Sequence, residues 1–329
     1  MSQGLSVLFV VDPLDELKAY KDTSVAMMRE LVARGHDVWT CTLPDLSWSS
    51  NERGGAVHAQ ARLIALKAGE LKHDDHAWYV EREAGSRALA SFDAVLMRKD
   101  PPFDTEYLYS TYLLETAQRQ GARVFNDPRA LRDHNEKFAV AEFAEFAPPT
   151  LVSRSPDAIR QFQRDHGDIV VKPLDGMGGR SIFRLRSDDP NTNVILETIT
   201  DNGARTVMAQ RFIAEIKHGD KRVLLIGGKA APYALARIPK PGESRGNLAA
   251  GGIGRAQRLT ESDQAIAAAL GPVLASRGLL LVGIDVIGDY LTEINVTSPT
   301  CFVEIAEQTG CNVAALFVDA LEAALREPT

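Results

Sequence analysis

The chain has 329 residues, 45% hydrophobic and 25% charged, a globular composition whose length suits two or three subdomains. Its 37 basic and 44 acidic side chains leave a net charge of −7, which gives no electrostatic case for a nucleic-acid partner. No run approaches the roughly 18 apolar residues of a membrane span, and three cysteines without a CxxC pair predict neither disulfides nor zinc and point to the cytoplasm.

Residues 5–11, LSVLFVV, form a continuous apolar run suited to a buried strand, and the run ends at Asp12 without the basic lead of a signal peptide. Asp22-Thr23-Ser24 is a cap for a helix through about Arg34, with Gly35 as its stop. HDVWTC follows as a second strand, so the order implies a right-handed parallel crossover. FDAVLMR (92–98) predicts another strand, and the two prolines of KDPPFD forbid a helix start immediately after it. YLYSTYLLETAQRQ predicts a helix ending at Gly121, and ARVFN a strand, giving an open α/β domain over residues 1–128.

Residues 136–146 are expected to be helical, broken by APPT before a strand at TLVS. The pattern then changes. DIVVKPL, SIFRLR, TVMAQRFI, KRVLLIGG, APYALARI, LLLVGIDVIG and LTEINV are strands mostly separated by turns, which predicts antiparallel pairing and an α+β second part.

Three stretches of that second part carry chemistry. In KPLDGMGGR, Lys172 ends a strand, and Gly176, Gly178 and Gly179 let backbone N–H groups approach a ligand such as a phosphate. The spacing matches neither a P-loop nor GxGxxG, and on local grounds a plain glycine turn fits equally well. Lys137 lies at the expected helix start, where an anion would be favoured. Residues 238–260, rich in glycine and proline, exceed the length of an ordinary turn and are expected to form a mobile lid.

GIDVIGDYLTEINV is the third. If Gly288-Asp289-Tyr290 is a three-residue loop, Ile287 pairs with Leu291 and Asp285 falls opposite Glu293, with Asn295 on the same face. Two facing carboxylates and an amide oxygen among aliphatic side chains call for a cation, and all-oxygen ligation suits Mg2+ or Mn2+. Arg222 and Arg237, on neighbouring strands, are candidates to hold carboxylate or phosphoryl oxygens. The seven histidines lack ligand spacing and are given no role.

Taken together, MRKDPPFDTEY, LRDHNEK, VVKPLDGMGGRSIFR, DKRVL, ARIPKPGESRGNLAAGGIG and GIDVIGDYLTEINVTSPT resemble bacterial glutathione synthetases, ligases of the ATP-grasp superfamily, nearly end to end. The resemblance implies an α/β N-terminal domain followed by α+β ATP-grasp subdomains at 129–210 and 211–329. The implied reaction is ATP-dependent joining of γ-glutamylcysteine to glycine through an acyl phosphate, in a homotetramer. Carried over by motif, Lys137, Lys172 and the Gly176, Gly178 and Gly179 loop would meet the ATP phosphates. Gln210, Arg211, Phe212 and Ile213 would lie beside adenine, and Asp220 at the ribose. Asp285, Glu293 and Asn295 would hold Mg2+. Arg98, Lys99, Arg222, Asn247 and Ser298 would engage substrates, and Arg237 with Arg222 would stabilise transferred charge. Another amino-acid or peptide ligase of the superfamily, or a non-catalytic ATP-binding protein on the same fold, is the alternative. MRKDPPFD and RGNLAAGG argue against the first, and the intact Lys172, Arg237, Asp285, Glu293 and Asn295 set against the second.

Overall fold

The computed structural model describes residues 4–52, 54–67, 69, 77–177, 181–240, 246, 248 and 251–327. Three sheets follow one another along the chain.

The first sheet contains β1 (Ser6–Val10), β2 (Asp37–Cys41), β3 (Leu46–Asn51), β4 (Gly54–Leu66), β5 (Tyr79–Ala88), β6 (Ala94–Met97) and β7 (Val124–Phe125). Its parallel part runs β2-β1-β6-β7, as strand–helix–strand order requires. Helix α1 (Thr23–Ala33) is capped by Asp22, whose carboxylate accepts from the Val25 N–H at 2.9 Å, and Gly35 takes φ = 83° just past its end. Helix α2 (Thr105–Arg119) is capped in the same way by Asp104, and α3 (Pro128–Asp133) by Asp127.

The open α/β expectation omits half of this sheet. The long β4 pairs antiparallel with β2, β3 and β5, extending the sheet through residues for which the sequence reading proposed no strand. Alternate burial of Val57, Ala59 and Ala61 in β4 is a readable two-residue period. The mostly exposed, charge-rich β5 offers no such signal.

The second sheet, ordered β10-β9-β11-β8, comprises β8 (Thr150–Ser153), β9 (Ile169–Pro173), β10 (Phe183–Leu185) and β11 (Val207–Arg211). Helices α4 (Pro156–His166) and α5 (Thr192–Ile199) belong to the same stretch, and Ile159 and Leu196 join Val171 and Ala209 in its core. The expected helix over 136–146 is only a single 3-10 segment, Phe138–Phe143; the Ala-Pro-Pro that follows stops it from lengthening.

The third sheet is built from β12 (Asp220–Ile226), β13 (Lys229–Ala230), β14 (Tyr233–Ile238), β15 (Ile253–Arg258), β16 (Leu281–Ile287) and β17 (Tyr290–Asn295), in the order β15-β14-β12-β16-β17 with β13 beside β12. All its pairings are antiparallel, as predicted. The stretch expected as a lid over 238–260 is therefore not loop throughout. Residues 253–258 are a strand whose ladder runs from Tyr233↔Arg258 to Ile238↔Ile253, and 241–245, 247, 249 and 250 lie outside the described residues.

After α6 (Glu261–Ser276) and the last hairpin, α7 (Phe302–Thr309) and α8 (Val313–Arg326) return the chain to the first sheet. Phe302, Phe317 and Leu321 share one core with Val25, Leu31 and Phe9. Arg34, just past the end of α1, reaches Asp319 at 2.7 Å and Glu322 at 3.3 Å on α8, and His36 reaches Glu322 at 3.2 Å. A second tie is Asn126, whose amide donates to the Leu281 and Val296 carbonyls and accepts from the Leu281 N–H, three bonds of 2.7, 2.7 and 3.0 Å.

Candidate active site

Alternation along β12, β14, β16 and β17 collects charge on one sheet face. Asp220 pairs across from Arg237, Arg222 from Asp285, and Asp285 from Glu293, with Asn295 opposite Gly283. Gly283 is required: a Cβ there would sit 2.8 Å from the Arg222 side chain and 2.9 Å from Pro299.

The hairpin differs from the predicted one in its turn. Ile287 pairs with Tyr290 and Val286 with Leu291, so the loop is the two residues Gly288-Asp289, with Gly288 at φ = 59°. Register shifts between Asp285 and Val286, leaving Thr292 as an extra residue, and this bulge restores Asp285 opposite Glu293.

These carboxylates are not unpaired, contrary to the premise that only a metal could make them tolerable. Arg222 grips Asp285 with two nitrogens, at 2.5 and 3.0 Å, and Arg237 reaches Asp220 at 2.5 Å and Asp285 at 2.9 Å. Lys172 lies 3.3 Å and Lys137 3.9 Å from the same Glu293 oxygen. Burial by itself would raise the Asp285 carboxyl, but the two guanidiniums hold it well below the usual carboxylate range. Glu293 is likewise lowered, burial being overcome by Lys172 and Lys137. For Asp220 burial wins over Arg237, with Asp285 and Glu293 pushing the same way, and its carboxyl rises to about 6. One Asp220 oxygen is buried with no hydrogen-bond partner among the described residues.

The charged face forms one wall of a cavity of about 310 Å³. The opposite wall comes from the second sheet. Lys172, buried at the end of β9 and also bonded to the Thr292 carbonyl at 3.3 Å, brings its ammonium to that space, and Lys137 donates to the Gly176 carbonyl. Gln210, Arg211, Phe212 and Ile213 line the same cavity. The Gln210 amide is held by Thr150 at 3.1 Å, the Arg211 guanidinium by the Tyr290 hydroxyl at 2.8 Å, and the Phe212 ring is covered by Arg184 at 3.7 Å.

Thus Lys137, Lys172, Gly176, Asp220, Arg222, Arg237, Asp285, Glu293, Asn295 and Ser298 are brought together on one cavity with the 210–213 segment. Arg98 and Lys99 are not. Arg98 is buried behind the wall, donating to Ser24 at 3.1 Å and to the Pro299 carbonyl at 3.0 Å, while Lys99 turns to Asp12 at 2.7 Å. A neutral hydroxyl and a carbonyl hold Arg98 and a carboxylate holds Lys99, and Asp100 and Pro101 line the cavity instead. Gly178, Gly179 and Asn247 lie outside the described residues.

Sequence reasoning missed Glu136 and Cys301, and within the TSPT stretch it singled out Ser298 but not Thr297; all three also line the cavity. Cys301 stands at φ = 92°, beside the TSPT motif, and burial pushes its thiol up. For Glu136 the missing signal is tertiary: its backbone carbonyl accepts from Ile294 N–H at 2.8 Å, tying residue 136 to the strand that carries Glu293 and Asn295.

The donor set Asp285, Glu293 and Asn295 fits a hard divalent cation. The Asn295 amide nitrogen is spent on Gly283 O at 3.1 Å and Asp285 at 3.2 Å, which leaves its carbonyl oxygen available to a cation. Two acids and an amide leave coordination positions for water or phosphate oxygens, the habit of Mg2+.

Comparison with known proteins agrees with this architecture. Residues 5–132 match the family model of the prokaryotic glutathione synthetase N-terminal domain, and residues 136–310 that of the prokaryotic glutathione synthetase ATP-grasp domain. The glutathione synthetase of Ralstonia nicotianae is 58% identical over 97% of this chain and 96% of its own. That of Bordetella parapertussis is 59% identical over 97% and 99%. Among solved structures, D-cycloserine synthetase DcsG has a TM-score of 0.65 at 17% identity, covering 98% of this chain and 100% of its own. The ATP-grasp ligase PsnB complexed with minimal precursor, Mg and ADP scores 0.63 at 17% identity, covering 98% of each chain; both likenesses concern the fold. With both family models spanning nearly its whole length, the chain belongs to the prokaryotic glutathione synthetases, ATP-dependent carboxylate–amine ligases that form glutathione.

Proposed function

We propose that the cavity joins γ-glutamylcysteine to glycine through an acyl phosphate, with residues 1–128, 129–210 and 211–329 as the working units. The observation that carries this reading is the convergence of Lys137, Lys172, Arg222 and Arg237 with the Asp285–Glu293–Asn295 donor set on one cavity. A carboxylate has no adequate leaving group, and transfer of the terminal phosphoryl of ATP to the cysteinyl carboxylate supplies one. The amine of glycine then forms the C–N bond as the C–O bond to phosphate breaks.

In this scheme Lys137 and Lys172 neutralise the phosphates, the 210–213 segment seats adenine, and Asp220 faces the ribose. Arg222 and Arg237, each pre-oriented by carboxylates, hold the oxygens that gain charge. Asp285, Glu293 and Asn295 would hold Mg2+ or Mn2+, which when bound supplies Lewis-acid stabilisation of phosphoryl oxygens. Gly178, Gly179 and the part of the 238–260 stretch that precedes β15 would cover the site, with Asn247 and Ser298 near the substrates, excluding the water that would hydrolyse an acyl phosphate. For Arg98 and Lys99 the structure supports an indirect part only, through Pro299 and Asp12.

Assembly as a homotetramer and a cytoplasmic location belong to the same proposal. No helix among the described residues is long and apolar enough to cross a membrane. The test is ADP release coupled to NADH oxidation with γ-glutamylcysteine and glycine as joint substrates. Release that requires D-alanine instead of this pair would overturn the assignment.

A further inference from the structure

Three acids on the cavity wall, Asp220, Asp285 and Glu293, have an arginine or lysine within 4 Å. Asp100 is exposed at the edge of the first sheet. Glu136 differs from all of them. It lines the cavity, keeps part of its surface exposed, and forms no ion pair among the described residues.

Its position is nonetheless fixed. The backbone is held by the Ile294 N–H, and one carboxylate oxygen accepts from the Thr297 hydroxyl at 2.7 Å. The other oxygen has no hydrogen-bond partner among the described residues. Thr297, itself buried and on the cavity, has spent its proton on Glu136, so what remains on that hydroxyl is a pair of acceptor lone pairs.

The charged groups around Glu136 do not supply a counter-ion. Lys137, the next residue in the chain, is turned to Gly176 and Glu293, and Arg222 to Asp285. Glu293 acts on Glu136 with like charge, and the buried Tyr107 hydroxyl, which feels the Glu136 charge, has no hydrogen-bond partner among the described residues. Burial foremost, then Glu293, push the Glu136 carboxyl upward, against the Thr297 hydrogen bond and the two cations. A carboxylate oxygen and a hydroxyl oxygen, both accepting and both facing a cavity, match a ligand that only donates and carries positive charge.

We infer that Glu136 and Thr297 form the seat for a primary ammonium group of a substrate. Both amino-acid partners of the ligation carry one: glycine its nucleophilic amine, γ-glutamylcysteine the amine of its glutamyl end. The inference rests on the substrate reading above. The seat explains why an acid is held on a wall otherwise devoted to cations and their partners.

Glu136→Gln preserves shape and the Thr297 contact while removing the charge. We expect KM for glycine or for γ-glutamylcysteine to rise about tenfold or more, the scale of one charge-assisted contact, with KM for ATP within about twofold of wild type. A rise for glycine alone assigns the seat to the acceptor. A rise for the dipeptide, together with loss of the wild-type preference over glutaryl-cysteine, which lacks that amine, assigns it to the donor. Thr297→Val should raise KM for the same substrate by a smaller factor, and decides the matter if the glutamine variant does not fold. Unchanged constants for both amines, or an equal rise for ATP, overturns the seat. A wild-type enzyme inactive with the two substrates would defeat the substrate reading instead.

Discussion

Lys221 and Asp263 form a nearly dry ion pair whose loss has a calculable cost. The ammonium lies 2.5 Å from one Asp263 oxygen, and the two side chains are 8% and 0% exposed. Lys221 also donates to the Gly288 carbonyl at 2.9 Å, in the turn of the active-site hairpin. Asp263 uses its other oxygen to cap α6, accepting from the Thr260 N–H at 2.9 Å. Lys221→Met keeps the length of the side chain and removes the charge, leaving a buried carboxylate with only its capping bond. Breaking a buried pair in this way costs about 3–5 kcal/mol, which corresponds to a fall in Tm on the order of 10 °C for a protein of this size. The double variant Lys221→Met/Asp263→Asn removes both charges and should recover most of that loss, because the penalty lies in the uncompensated ion rather than in the missing attraction. Thermal unfolding of the wild type, both single variants and the double variant, followed by circular dichroism, closes the cycle. A double variant as unstable as Lys221→Met would refute the reasoning.

Three further outcomes follow from other contacts. Glu322 is held below the usual carboxylate range, first by its hydrogen bond to His36 and then by Arg34. Its stabilising contribution is therefore present above the unfolded value of about 4.3 and lost as pH falls through the lower folded value. The Tm difference between wild type and Glu322→Gln should be positive at pH 7 and shrink below about pH 4; a difference independent of pH would exclude an ionic origin. Asn126→Ala strips the donors and acceptor from three buried backbone groups and should destabilise by about 3 kcal/mol, with Asn126→Asp at least as damaging because it sets a carboxylate against two carbonyls; a urea midpoint unchanged in both would refute the tie. Glu293→Gln and Asn295→Ala should abolish ATP turnover while near-UV circular dichroism stays native, and wild-type turnover in both would remove the metal assignment.

Much of this architecture is legible in the sequence where the signal is local. Asp22 and Gly35 bracket α1 because capping needs only neighbouring residues, and the apolar runs of β1 and β16 announce buried strands. The Asp285–Glu293 facing was reached through a turn one residue too long, an error the bulge at Thr292 cancels. Partners across sheets were not legible. That Arg222 and Arg237 neutralise Asp285 depends on the β12, β14 and β16 registers, set by tertiary packing rather than by any one strand's pattern. Glu136 was hidden for the same reason, since its distinction is the lack of an ion-pair partner among the described residues. Arg98 and Lys99 illustrate the converse: a basic pair beside a motif says nothing about which way the side chains turn.

The bulge at Thr292 gives the hairpin an unequal tolerance of changes in length. A regular ladder closing on Gly288-Asp289 would pair Asp285 with residue 292 and send Glu293 to the face of Ile284. Deleting Thr292 would shorten the strand to that more regular ladder and keep Glu293 in step with Asp285, at the expense of the carbonyl that Lys172 grips. Inserting one residue would instead carry Glu293 and Asn295 to the apolar side together. Point substitutions at this hairpin are graded in their effect, whereas one residue inserted between the turn and Glu293 switches an entire row of side chains between two faces. The bulge thus leaves the hairpin tolerant of losing one residue and intolerant of gaining one.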